Sequence, residues 1–300
     1  GYDPDRAVRV KALLADQAPL IWALGLLGSV LPAVLLLLLL RWIADRWHPG
    51  LGTATALSLG MGTIVMTFAV NLFGHMLAAF VGFAVFALLW RERQAAPRLR
   101  LVLAAGLLAG LAVVIEYPLA LAGAVLGLYA VFHPQATRQG PGPLASRAAV
   151  YAAGVIAGVL PLLAYNRWAF GAIGTMSYDN AVDRQGFTGH DTLGLNSGGF
   201  FGITMPEPRV ALELLISPRG LFALTPVVVM GVVGVVLLHR RGMRAEAWTI
   251  TAIALAFFVY DTGYWLPFGG GSPGPRFLIP LLPFLGVALV ESWKRFPATT

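Results

Sequence analysis

PLIWALGLLGSVLPAVLLLLLL, residues 19–40, carries no charged side chain. At about 1.5 Å of rise per residue, a helix of that length crosses the roughly 30 Å hydrocarbon core of a bilayer. The whole chain supports the same reading. Of 300 residues, 58% are hydrophobic and only 12% charged, and mean hydropathy is +0.76. A soluble domain keeps about 25% charged residues, so lipid is the expected solvent for much of this chain. A formal charge of +7 and a pI near 10.1 point first to nucleic acid. The arginines, however, sit in short tracts between apolar runs, which is how membrane topology is fixed, so no nucleic-acid partner is expected. Cysteine is absent, which excludes a disulfide framework and any thiolate metal or redox site.

Working outward, apolar runs of spanning length predict nine helices, at about 19–43, 51–70, 74–90, 99–115, 118–132, 148–166, 220–238, 247–264 and 277–293. Residues 51–90 would make one helix about 60 Å long, twice the core, and NLFGH (71–75) supplies the polar break. The run 99–132 is interrupted by Glu116, Tyr117 and Pro118 with arginine beyond both ends, which predicts a hairpin with a short second arm. Loops 41–50, 91–98, 133–147 and 239–246, the tail 294–300 and the helix edge at Arg100 hold 13 of the 21 basic residues; the opposite side holds 10 of the 14 acids. Positive-inside logic makes the first side cytoplasmic, with the C-terminus on it and Gly1 outside. Residues 1–18 contain neither the basic nor the apolar region of a signal peptide, so an upstream helix and loop are expected to precede Gly1. The fold class expected is all-α: one polytopic membrane domain over 1–300 in the bacterial inner membrane, with one long non-cytoplasmic loop at 167–219.

That loop is rich in Gly, Asn, Asp and Ser, and VALELLI (210–216) reads as a short amphipathic interfacial helix. Its Asp179, Asp183, His190, Asp191 and Glu207 offer oxygen and imidazole ligands for a divalent cation; no other cofactor is indicated. Ionisable residues at membrane depth are costly and usually functional. Glu116 and His75 fall at outer turns, on one side of the membrane. Arg219 (SPRGLF) and Arg276 (GGGSPGPRFLIP) each open a span beside proline and glycine, a setting suited to holding an anion such as phosphate. Headgroup snorkelling is the competing reading for each arginine.

The series LGMGT and NLFGHMLAAF (within 59–80), AGLAVVIEYPLALA (109–122), YNRWAFGAIGTMSY (165–178), SPRGLFALTP (217–226) and GGGSPGPRFLIPLLPF (269–284) resembles bacterial membrane glycosyltransferases of the GT-C superfamily. The closest group is the protein O-mannosyltransferase-like, or family 39-like, proteins, and the resemblance covers most of residues 50–290. It implies transfer of a sugar from a polyprenyl-phosphate donor to an acceptor on the non-cytoplasmic face. On chemical grounds the leading reading gives donor phosphate to Arg219 and Arg276, the active cleft to His75 and Glu116, and acceptor selection to the loop with Tyr178, Asp179 and Asp183. The family's key carboxylate lies directly after its first helix, where this chain offers Asp3, Asp5 and Asp16 without a motif. The polarity at His75 and Glu116 is also exchanged relative to that family.

Two other classes follow from the same residues. A transporter or lipid-carrier flippase predicts ionisable pairs and broken helices near the midplane, whereas the polar groups here collect at one face. A non-catalytic subunit of a larger membrane complex is the third.

Overall fold

The computed structural model describes residues 17–175 and 203–296. Among them every regular element is helical, and the one β-contact is an isolated antiparallel bridge between Ile203 and Tyr264. Thirteen helices follow in chain order: α1 Gln17–Trp47, α2 Gly52–Met61, α3 Val65–Ala69, α4 His75–Arg93, α5 Leu99–Ile115, α6 Leu119–Val131, α7 Pro134–Gln139, α8 Pro141–Phe170, α9 Pro208–Ile216, α10 Leu221–Leu224, α11 Val227–Arg240, α12 Arg244–Thr262 and α13 Arg276–Arg295. By length and composition α1, α4, α8 and α13 can each cross a membrane. A fifth crossing is available if the stretch from α9 to α11, bent by 91°, is taken as one broken span.

Each of the nine apolar runs is helical over most of its length, with local departures. The 51–70 run divides into α2 and α3 because Thr63 turns its hydroxyl onto Leu59 O and accepts from Val65 N at 3.1 Å, competing with the helix ladder. The 220–238 run divides at Thr225–Pro226, since proline has no N–H to continue the ladder. These two breaks meet: Ile64 N donates to Thr225 Oγ1 at 3.4 Å. In α1 a π-turn at Leu26–Val30 lies just ahead of Pro32, where the proline removes the bond to Gly28 O. Residues 134–147, expected as loop, instead form α7 and the first turns of α8, each started by a proline in its first turn. The short amphipathic helix predicted at 210–216 is present as α9.

α13 is the central helix: 83% of its most apolar window is buried, against 17% for α8. α8 reaches the bundle chiefly through α5. A Cβ on Gly106, Gly110, Gly154 or Gly158 would fall within 2.4 Å of a carbonyl oxygen of the facing helix, so the two backbones touch. Without a hydrophobic driving force between helices in lipid, that small-residue contact supplies the packing attraction. The other face of α8 is left apolar and bare, with Ile156, Leu160 and Trp168 exposed.

At the end of the bundle where the basic tracts lie, the four acids are all engaged. Asp45 accepts from Gly52 N at 2.8 Å, and Tyr129 donates to Glu246 at 2.8 Å. Arg241 reaches Glu291 at 2.5 Å, and Arg147 grips Glu92 in a bidentate pair with both distances 2.8 Å. This end is a set of clamps between helices.

Candidate functional site

The opposite end is built from four connections: residues 70–74, the turn 116–118, the turn 217–220 and the segment 263–275. His75 is the first residue of α4 and Glu116 follows the last turn of α5. Their side chains meet at Nδ1 and Oε1, with little solvent exposure. The imidazole stacks on Phe73 with centroids 5.8 Å apart and meets the edge of Phe277 at 5.7 Å.

Arg276 opens α13 and shares those two rings, its guanidinium carbon lying 5.1 Å from each centroid. The preceding glycines explain how it gets there. Gly269 and Gly270 have φ of +70° and +77°, in the left-handed region that favours glycine, and a Cβ on Gly269 would strike Arg276 Nε. Arg276 therefore lies across bare backbone. Its Nε is buried and without a hydrogen bond among the described residues, and no described carboxylate pairs with it. Gly274 packs against Leu224 and Ile64, tying the segment to the two helix breaks.

Arg219 fastens the same segment from the other side. Its NH2 donates to Gly270 O at 2.7 Å and Ser272 O at 2.6 Å, and its cation lies 5.1 Å from the centroid of Phe268. One terminal nitrogen is thus spent on loop carbonyls, while the side chain stays exposed. The glycine-rich segment presents carbonyl oxygens to Arg219, and these cannot bind an anion. The cations supply whatever anion-holding capacity the site has.

Beside Glu116 lies a cavity of about 330 Å³ between the end of α5 and the last turns of α8. Glu116, Tyr117, Pro161, Leu162, Tyr165 and Asn166 form its wall. Asn166 is 4% exposed; its Nδ2 donates to Thr175 O at 2.8 Å, while its Oδ1 is buried with no partner among the described residues.

The structure thus gathers His75, Glu116, Arg219 and Arg276 at one end, through two aromatic rings and one glycine-rich segment. Tyr178, Asp179 and Asp183, together with His190 and Asp191, lie outside the described residues. Glu207 is exposed at the start of α9, and no cluster of three metal-ligating groups occurs among the described residues. Sequence reading missed Asn166, the bridging Phe73 and Phe277, and Asp261. Asp261 is fully buried near the end of α12, with neither carboxylate oxygen hydrogen-bonded among the described residues. An acid inside FFVYDTGYW (257–265) was the available signal.

Fold and site define a helical membrane protein with one clamped end and one end carrying cations and a cavity. No family model, no curated protein and no solved structure matches the chain.

Proposed function

We propose that the chain is a membrane glycosyltransferase of GT-C type, moving a sugar from a polyprenyl-phosphate donor to an acceptor on the non-cytoplasmic face. In this reading all nine apolar runs cross the bacterial inner membrane and the C-terminus is cytoplasmic. The observation that carries the proposal is the meeting of a histidine–carboxylate pair and an arginine without a described acidic partner on the same two rings, Phe73 and Phe277.

The chemistry needs these groups. With Nδ1 turned to Glu116 Oε1, Nε2 of His75 is the nitrogen left to take the acceptor's hydroxyl proton. The acceptor oxygen then bonds to the anomeric carbon, the bond from that carbon to the phosphate oxygen breaks, and its electron pair leaves with the phosphate. Arg276 holds the charge that develops there, and Glu116 balances the imidazolium. Arg219 orders the segment that presents Arg276 and adds a second positive charge. Aromatic rings around the guanidinium and the imidazole exclude water, which strengthens both interactions.

Transfer by the purified protein, supplied with polyprenyl-phosphate sugars, tests the reading. Arg276→Ala is expected to lower transfer by about 10²–10³-fold, the scale of removing a charge-stabilising donor. Undiminished transfer and donor binding in that variant would remove the phosphate role.

A further inference from the structure

A second cavity, of about 280 Å³, lies at the basic end, between the turn 48–51 that joins α1 to α2 and the last turn of α13. His48, Pro49, Leu51, Trp293 and Lys294 line it, so its walls hold an ammonium and an imidazole but no carboxylate. Glu291 stands three residues before Lys294, the spacing at which opposite charges pair along a helix. Here that pair does not form. Glu291 is buried; it accepts from Arg241 at 2.5 Å and lies 3.1 Å from His48 Nε2. Lys294 is left exposed, with no ion-pair partner among the described residues. The cavity thus carries a positive charge that no described acid neutralises, beside proline, leucine and indole walls. An anion with an apolar body fits that composition.

Position names the carrier of the anion. α1 ends at Trp47 and α13 at Arg295, and both are long and apolar enough to cross a membrane. Their shared end therefore marks the level where hydrocarbon gives way to headgroups. Tryptophan and lysine at the end of a span settle at that level. From Leu51, α2 leads back along the bundle. Ala54, Leu57 and Met61 recur at helical spacing on its bare face, Leu57 being 55% and Met61 75% exposed. Acyl chains have this track to lie on, and a phosphate has the cation at its head. Free phosphate uses only the cation.

We infer that the cavity between the α1–α2 turn and the end of α13 binds the phosphate of an anionic phospholipid from the leaflet on the basic side. Basic pockets at the ends of spans suit such headgroups. The site is remote from Arg276 and independent of sugar transfer; it requires only that α1 and α13 cross a bilayer.

The purified full chain in neutral detergent, titrated with phosphatidylglycerol, phosphatidylcholine and inorganic phosphate, tests the site. The wild type is expected to bind phosphatidylglycerol about fivefold more tightly than phosphatidylcholine, the scale of one basic side chain at an anionic surface. Lys294→Gln should abolish that preference and leave phosphatidylcholine affinity unchanged. Leu51→Trp, which fills the cavity, should abolish it too. Arg138→Gln, which removes an exposed cation from α7 at the same end, should keep it. Lys294 is exposed, so its replacement disturbs no packing, and an unchanged thermal midpoint shows that each variant is folded. Equal binding of the two lipids by the wild type, or a preference that survives Lys294→Gln or a folded Leu51→Trp, would overturn the site. Equal losses in Lys294→Gln and Arg138→Gln would replace it with unspecific surface charge. Inorganic phosphate bound as tightly as phosphatidylglycerol would overturn the lipid as the source.

Discussion

The two ends of the bundle use charge in opposite ways. At the basic end, carboxylates meet cations or other donors: Arg147 with Glu92, Arg241 with Glu291, Tyr129 with Glu246, and backbone amides with Asp45. At the rim, Arg276 Nε and both oxygens of Asp261 have no hydrogen-bond partner among the described residues, whereas at the basic end the groups without one are the indole nitrogens of Trp47, Trp90 and Trp293 and Nε2 of His133, and no carboxylate is among them. A buried charged group without a partner is far more costly than a buried indole N–H. One end uses every carboxylate to hold helices together. The other leaves an arginine nitrogen and an aspartate without a hydrogen bond among the described residues.

The largest contrast should appear when one arginine is removed from each end. Arg147→Met strands Glu92 in a buried site, and the loss expected is about 3–5 kcal/mol, seen as a collapse of the thermal midpoint in detergent. A double variant, Glu92→Gln with Arg147→Met, should recover much of it. Arg276→Ala should reverse the pattern, with transfer falling about 10²–10³-fold and stability changing by less than about 1 kcal/mol. Equal stability losses at the two positions would erase the distinction between the ends.

A smaller effect has the opposite sign. At the basic end, removal of a carboxylate destabilises; at the rim, Asp261→Asn should stabilise by about 1 kcal/mol, because burying a carboxyl without a partner costs either the hydration of its charge or the uptake of a proton, and a neutral amide carries neither cost. A lower midpoint for that variant would mean that Asp261 has a structural partner after all.

The smallest effect is in pH. His133 lies between α6 and α7 with Nε2 at 3.9 Å from Glu92. Burial holds its imidazole below the ordinary value of 6.5; Glu92 pulls it up, and Arg147 and Arg93 push it down again. The folded value is therefore below the unfolded one. The unfolded chain takes the proton first as pH falls, so this stabilisation is present above about pH 6.5 and is lost below it. The midpoint should drop by about 1 °C between pH 7.5 and 5.5, and His133→Gln should flatten that slope. An unchanged slope in the variant would place the sensitivity elsewhere.

Periodicity and charge bias are dense signals, which is why the helical class, the NLFGH break and the 116–118 hairpin were legible in the sequence. Four side chains of the rim were legible too, since an ionisable residue beside an apolar run stands out. Their wiring was not. Arg219 binding to Gly270 and Ser272 depends on loop backbone conformation, which single-residue chemistry does not encode. The Thr63 and Pro226 breaks hide inside runs hydrophobic enough to read as continuous. Asn166 and Glu92 look ordinary in sequence, and only their burial against distant helices gives them their roles.

The account rests on His75, Glu116, Arg219 and Arg276 sharing one water-exposed face, opposite the clamped end. Because the chain has no cysteine, single-cysteine variants in intact cells, probed with a membrane-impermeant maleimide, test this directly. Asn71→Cys, Pro218→Cys and Gly271→Cys are expected to label without permeabilisation, and Ala95→Cys and Gly142→Cys only after it. Labelling that divides the first three positions between the two faces would contradict the shared site.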